Sequence, residues 1–208
     1  MFVTGEPAME GLRQRKRRET RARIVGAALK LFLAHGYDAT TIDEIAAAAL
    51  VSKRSFFDYF PSKEEVVLAW QDAFGEALAA ALAARPLQEP AAKAVEAALV
   101  ETVGAAAAQS DAFAVDNLIQ TTPALKAREH LKYVRLEDTL AAALMGREPP
   151  GTDPFPSRLL AMLIAGGMRL TAERGRAAGQ PAALGTFVHD VFAEVWTQLA
   201  QFAEAARR

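Results

Sequence analysis

Residues Ile45–Phe60 read "IAAAALVSKRSFFDYF", and this stretch decides the fold. An alanine-rich run, a break at Ala49, Leu50 and Val51, and a short basic and aromatic run follow one another, the pattern of two short helices joined by a tight turn. Such a turn usually needs one residue at positive φ, where glycine is favoured, and no glycine stands here. Leu50 is expected either to accept the roughly 1–2 kcal/mol cost of a left-handed residue or to reshape the turn and bury beside Ile45 or Phe56.

The flanking residues support the same pattern. Upstream, Thr41 and Glu44 stand at capping-box spacing, and Ile42, Ile45, Ala46 and Ala49 form a narrow apolar stripe. Downstream, Ser52 is placed to cap the next helix, with Val51 and Phe56 at hydrophobic-staple positions. Lys53, Arg54 and Ser55 put hydrogen-bond donors on its first turn, where base edges and phosphates can be reached. Phe56 and Phe60 are expected to turn inward and lock the helix, leaving Phe57 and Tyr59 outside to lie against sugars and methyl groups. A core helix would have to bury all of these basic and aromatic side chains on one face, which has no room for them.

Before this pair, a helix is read from Arg17 to His35, with Ile24, Ala28, Leu31 and Phe32 on one face and Gly36 as its stop. After it, Pro61 ends the third helix. Ser62 and Glu65 then open a fourth, with Val67, Trp70, Phe74 and Leu78 inward until Arg85-Pro86. Alanine, leucine, glutamate and arginine dominate the rest, so the chain reads as all-α with about nine helices. Further helices are placed at about Ala91–Gln109, Asp111–Gln120, Pro123–Met145, Ser157–Arg174 and Leu184–Ala206. Residues 1–16 read as a basic arm, 17–62 as a helix-turn-helix domain, and 63–208 as a helical effector-binding and dimerisation domain.

Composition narrows the function classes. The 208 residues are 51% hydrophobic and 24% charged, enough to bury a sizeable core. No run approaches eighteen uninterrupted apolar residues, and the N-terminus lacks a secretory pattern, so neither a membrane span nor a signal peptide is expected. The absence of cysteine removes disulfides and thiolate chemistry and fits a reducing cytoplasm. Residues 1–63 carry eleven Lys or Arg against seven Asp or Glu, and the remainder thirteen against eighteen. The excess lies in Arg13, Arg15, Lys16, Arg17, Arg18, Arg21 and Arg23, an electrostatic footprint for phosphates beside a helix-turn-helix. His35, His130 and His189 are scattered and no phosphate loop or nucleophile elbow is present, so no enzyme, metal or cofactor is expected.

The segment "ALKLFLAHGYDATTIDEIAAAALVSKRSFFDYFPSKEEVVLAW" resembles the DNA-binding domain of the TetR family of transcriptional regulators, from about Arg17 to Phe74. The resemblance implies that Thr40, Thr41 and Lys63 hold phosphates. It implies that Lys53, Arg54 and Ser55, behind Ser52, reach bases or phosphates, and that Phe57 and Tyr59 touch the backbone, with Arg17 and Arg21 of the basic run beside them. Three positions depart from the family pattern. Leu50 replaces a turn glycine, Phe57 replaces a tyrosine, and Asp58 should repel phosphate unless it pairs with a base such as Arg54.

The resemblance also implies a homodimeric repressor released from a partly palindromic operator when a small-molecule effector moves the fourth helix. The interface is expected on the stripes Leu160, Leu163, Ile164, Gly167 and Leu170 of one helix and Val188, Val191, Phe192, Val195, Leu199 and Phe202 of the last. Gly166-Gly167 would permit close helix approach or leave space for a ligand. An apolar or weakly polar effector is expected among Phe74, Leu78, Phe113, Leu118, Ile119, Met162 and Met168, with His130 and Tyr133 as polar anchors. Two alternatives stay open: an activator, or a helical protein-interaction module whose DNA binding Asp58 and Leu50 have weakened.

Overall fold

A computed structural model describes residues 11–107, 111–177 and 184–205. All regular structure among them is helical: α1 (Leu12–His35), α2 (Ile42–Ala48), α3 (Lys53–Tyr59), α4 (Lys63–Ala83), α5 (Ala91–Ala107), α6 (Ala112–Thr121), α7 (Pro123–Lys126), α8 (Glu129–Met145), α9 (Phe155–Ala177) and α10 (Leu184–Ala205). The chain divides into two compact units, residues 1–69 and 70–208.

In the first unit, α1, α2 and α3 close on Ile24, Ala28, Phe32, Tyr37, Ile45, Phe56 and Phe60, all buried. Two changes of direction set this arrangement. Gly36 adopts φ 87° after α1, and its N–H bonds the Phe32 carbonyl at 2.9 Å. The chain then reaches α2 through the expected capping box: Thr41 Oγ1 accepts from the Glu44 N–H at 3.2 Å, and Glu44 Oε2 accepts from the Thr41 N–H at 2.7 Å. The Thr41 N–H and the Thr41 hydroxyl, which also donates to Glu44 Oε2 at 2.9 Å, hold the Glu44 carboxyl below its ordinary pKa, the backbone bond contributing most.

The second turn is a Schellman motif. The Val51 N–H bonds the Ala46 carbonyl at 2.9 Å, and the Leu50 N–H bonds the Ala47 carbonyl at 3.1 Å. That pairing puts Leu50 at the left-handed position, and its φ is 53°. The turn is not reshaped and the side chain is not buried, since Leu50 is 85% exposed. Leu50 accepts the strain, and the motif holds because Ile45 and Ala49 are buried on one side of it and Phe56 on the other. Arg23 of α1 adds a donor to the Ala49 carbonyl at 3.3 Å, satisfying the C-terminal end of α2.

In the second unit, Leu78, Leu82, Val95, Leu99, Leu136, Leu140, Leu144 and Ile164 form the centre of the core. The α9 helix packs on α8 and α10, and α10 packs on α5. Arg147, just beyond α8, spreads its guanidinium over the end of α4, donating to the carbonyls of Leu82, Arg85, Pro86 and Glu89 at 2.7–3.2 Å. Of these, only the Leu82 and Pro86 carbonyls also accept an i→i+3 backbone bond, so one planar cation completes the end of the helix and the turn after it. By length and composition α4 could cross a membrane, but Leu78 and Leu82 on it are buried within the fold, as in a core helix.

Three boundaries differ from the sequence reading. Residues Leu12–Lys16 are the first turn of α1, not part of an extended arm. The expected helix Pro123–Met145 is split, because Arg128 takes φ −103° and ψ 0° and two i→i+3 hydrogen bonds replace the helical ladder around it. The α9 helix starts at Phe155 and runs to Ala177, a little beyond the expected Ser157–Arg174 at both ends.

Candidate nucleic-acid interface

The α3 helix is seven residues long and presents two unlike faces. Phe56 and Phe60 are 0% and 2% exposed, with ring centroids 6.0 Å apart, and they hold the helix on the first unit's core. The opposite face carries exposed Lys53, Arg54, Phe57 and Asp58, with Ser55 and Tyr59 half-buried at its margins. Ser52 caps the helix by accepting from the Ser55 N–H at 3.0 Å, and the two hydroxyls lie 2.9 Å apart. Both serines therefore order the N-terminal turn that presents Lys53 and Arg54.

The first helix shares this surface. The Arg17 guanidinium lies 5.7 Å from the Tyr59 ring centroid, and that of Arg21 lies 5.3 Å from the Phe60 ring. Cation–π packing thus positions two charges of the basic run beside α3 and keeps both available to phosphate oxygens. Arg13, Lys16 and Arg18 are exposed on the same helix.

Two carried-over positions serve the scaffold instead. Thr40 is 2% exposed and its hydroxyl donates to the Gly36 carbonyl at 2.8 Å, so its side chain does not face outward. Lys63 Nζ donates to the carbonyls of Tyr37 and Thr40 at 2.8 and 3.2 Å and lies 4.3 Å from the Tyr37 ring. The ammonium clamps the α1–α2 loop, and phosphate would have to share it. Thr41 is exposed, but its hydroxyl is engaged in the capping box.

The sequence reading missed Asp43. Its carboxylate accepts from Lys53 Nζ at 2.9 Å, joining α2 to the first turn of α3. Ten residues separate them, and only the helix crossing brings them together; no spacing rule signals it. Both side chains are more than half exposed, so the pair contributes little to stability but fixes where Lys53 points. Asp58 forms no ion pair with Arg54 or with any other described residue, so its charge remains on the outer face of α3.

In the second unit, the residues read as effector contacts do not gather into one site. Leu78, Tyr133 and Met168 belong to the closed core, and Ile119 is buried. His130 is exposed and cannot anchor an enclosed ligand, and Met162, 46% exposed, is on the outer surface. Leu118 is half-buried, and the side chain of Phe113 lies outside the described residues. Phe74 does line a small cleft of about 20 Å³, with Gln71, Asp72, Gly75, Lys132, Arg135, Leu136 and Thr139.

The expected dimer stripe divides between core and surface. Ile164 and Phe192 are 0% and 2% exposed within the subunit's own core, while Leu160, Leu163, Gly167, Val195 and Leu199 are half-buried. The side chains of Val188 and Val191 lie outside the described residues. The apolar residues that do reach the surface are Leu159, Met162 and Leu170 on α9 and Trp196 and Phe202 on α10. Gly166 on the same face of α9 has open space where a Cβ would stand. Leu170 and Phe202 of the expected stripe are thus at the surface while Ile164 and Phe192 turn inward, because both faces of α9 are apolar.

Comparison with known proteins agrees with this geometry. Residues 24–70 match the model described as bacterial regulatory proteins, tetR family. The HTH-type transcriptional regulator TcmR of Streptomyces glaucescens is 39% identical over 150 residues, which are 68% of this chain and 66% of TcmR. The chain thus spans a little under two thirds of the length of that relative. Among solved structures, SmeT, the repressor of the Stenotrophomonas maltophilia multidrug efflux pump SmeDEF, superposes with TM-score 0.57 at 14% identity, covering 88% of this chain and 91% of SmeT. A TetR-family regulator from Mesorhizobium loti superposes with TM-score 0.51 at 20% identity, covering 89% and 97%. These structures share the fold, and the matched helix-turn-helix is the segment whose geometry is given above. The chain belongs to the TetR family.

Proposed function

We propose that this protein is a sequence-specific DNA-binding transcriptional regulator of the bacterial cytoplasm, a homodimeric repressor released from its operator by a small molecule. The observation that carries this reading is the division of α3: Phe56 and Phe60 buried, and Lys53, Arg54 and Phe57 exposed beside Arg17 and Arg21. A rigid helix with that outer face fits a major groove, its cations reaching bases and phosphates while Phe57 and Tyr59 lie on sugars.

A single seven-residue helix makes few base contacts, so twofold repetition is the economical route to specificity. Leu159, Met162, Leu170, Trp196 and Phe202 supply a face for it on α9 and α10. That the structurally similar SmeT is a repressor supports repression over activation. A second reading, an interaction module with weakened DNA binding, draws on unpaired Asp58 alone, and the cations around it outnumber it.

Titrating labelled DNA from the protein's own upstream region across a salt series tests the proposal. Binding should weaken steeply as counterion release loses its driving force, and Lys53→Ala should weaken it by more than tenfold while the oligomeric state is unchanged. A Lys53→Ala variant that binds as tightly as the natural protein would show that α3 does not read DNA.

A further inference from the structure

The second unit contains polar groups that its own fold does not use, and they point to a chemical class of effector. This inference rests on the ligand-responsive reading above. The cleft between α4 and α8 is walled by Gln71, Asp72 and Phe74 on one side and Lys132, Arg135 and Leu136 on the other. At about 20 Å³ it has room for one water. Most of its wall is apolar, with a polar margin from Gln71, Asp72, Lys132 and Arg135.

Gln71 is 8% exposed, and its amide makes no hydrogen bond with any described residue. The amide is thus left to whatever occupies the cleft that Gln71 lines. Lys132 is half-buried and likewise forms no hydrogen bond or ion pair, its ammonium lying 5.2 Å from the neighbouring Tyr133 ring. The carboxylates nearby are mostly committed elsewhere. Asp72 accepts from Arg135 at 2.8 Å, and Glu129 accepts from Gln120 at 2.9 Å and pairs with Arg176 at 3.2 Å. Asp116 and Glu129 act on Lys132 only at longer range, and burial outweighs them, lowering the lysine's pKa.

The unused groups are thus a cation and an amide, and the acid that lines the cleft is already paired. A cationic ligand would meet Lys132 at the wall; an anionic one would find its partner there. We propose that the effector is a small organic acid. Its carboxylate is received by Lys132 and Gln71, and its apolar body takes the space that Phe74 and Leu136 now fill. This departs from the apolar or weakly polar molecule expected from the sequence, because Lys132 was not readable as a cleft residue. Entry must part the helices, because a cleft of about 20 Å³ has no room for an organic acid. A bound acid would therefore act as a wedge against α4.

The test uses the full chain bound to its operator and matched pairs of probes: benzoic, 1-naphthoic, anthracene-9-carboxylic and decanoic acids, each beside its primary amide. At least one acid should raise the melting temperature and release the operator, with its amide at least tenfold weaker. Lys132→Met should lower that acid's affinity at least tenfold, and Gln71→Leu should lower it by a smaller factor. Operator affinity without ligand serves as the folding control for both variants. Amides as effective as their acids, acid binding retained by both variants, or no acid that binds would each overturn the proposal. Release by amides alone would leave the ligand-responsive reading intact, whereas failure to bind any operator would remove that reading itself.

Discussion

Replacing Leu50 by glycine and by alanine tests the account of the α2–α3 turn quantitatively. The Schellman hydrogen bonds place Leu50 at φ 53°, and its side chain is 85% exposed. Left-handed backbone costs a non-glycine residue about 1–2 kcal/mol. The small buried fraction of the side chain contributes roughly 0.2–0.5 kcal/mol, a minor share of the value for full burial. Glycine relieves the strain but loses about 0.5–1 kcal/mol to backbone entropy, leaving Leu50→Gly near neutral to stabilising, by about 0.5 kcal/mol. Alanine keeps the strain and loses only the small packing term. Glycine should therefore exceed alanine in stability here, reversing their usual order within helices. Calorimetry on the full chain checks this, reading the transition of the first unit, where about 0.5 kcal/mol corresponds to roughly 2–4 °C for a domain of this size. Alanine more stable than glycine would refute the left-handed assignment, and a loss above about 1 kcal/mol in Leu50→Ala would mean that the leucine packs.

Other perturbations follow from the same geometry. Asp43→Asn frees Lys53 from its 2.9 Å partner and should raise DNA affinity several-fold with a steeper salt dependence, seen in anisotropy titrations. Phe56→Ala, at a side chain with no exposed surface, should cost about 3–5 kcal/mol and unfold the first unit, which amide hydrogen exchange would locate. The depressed Glu44 pKa makes its carboxylate stabilising at neutral pH, and that contribution is lost as pH falls through and below its ordinary value of 4.5. Glu44→Gln should accordingly flatten the acid limb of the stability profile. Phe202→Glu, at an α10 position 66% exposed, should shift sedimentation from dimer to monomer if that surface is the subunit interface.

The first unit was largely legible in its sequence, because its determinants are local. Capping residues sit three apart, Gly36 stops α1, and Phe56 and Phe60 stand one helical turn from each other. What escaped was assembled by tertiary contact: Asp43 on Lys53, Lys63 on the Tyr37 carbonyl, and Arg23 on Ala49. The second unit was harder to read because its helices are apolar and alanine-rich on more than one face. Periodicity located α9 and α10 but could not say whether Ile164 or Met162 faced the core. For the same reason Lys132 was passed over while His130, a solvated side chain, was taken for an anchor.

The central claim is that the outer face of α3 reads DNA as one half of a twofold pair. Selection of bound sequences from a random DNA pool by the full-length protein, at physiological salt, tests it most directly. The account predicts enrichment of a partly palindromic site with half-sites about one helical turn apart or a multiple of it, lost when Lys53 and Arg54 are both replaced by alanine. A pool that remains unenriched, or an enriched motif that survives that double replacement, would contradict it.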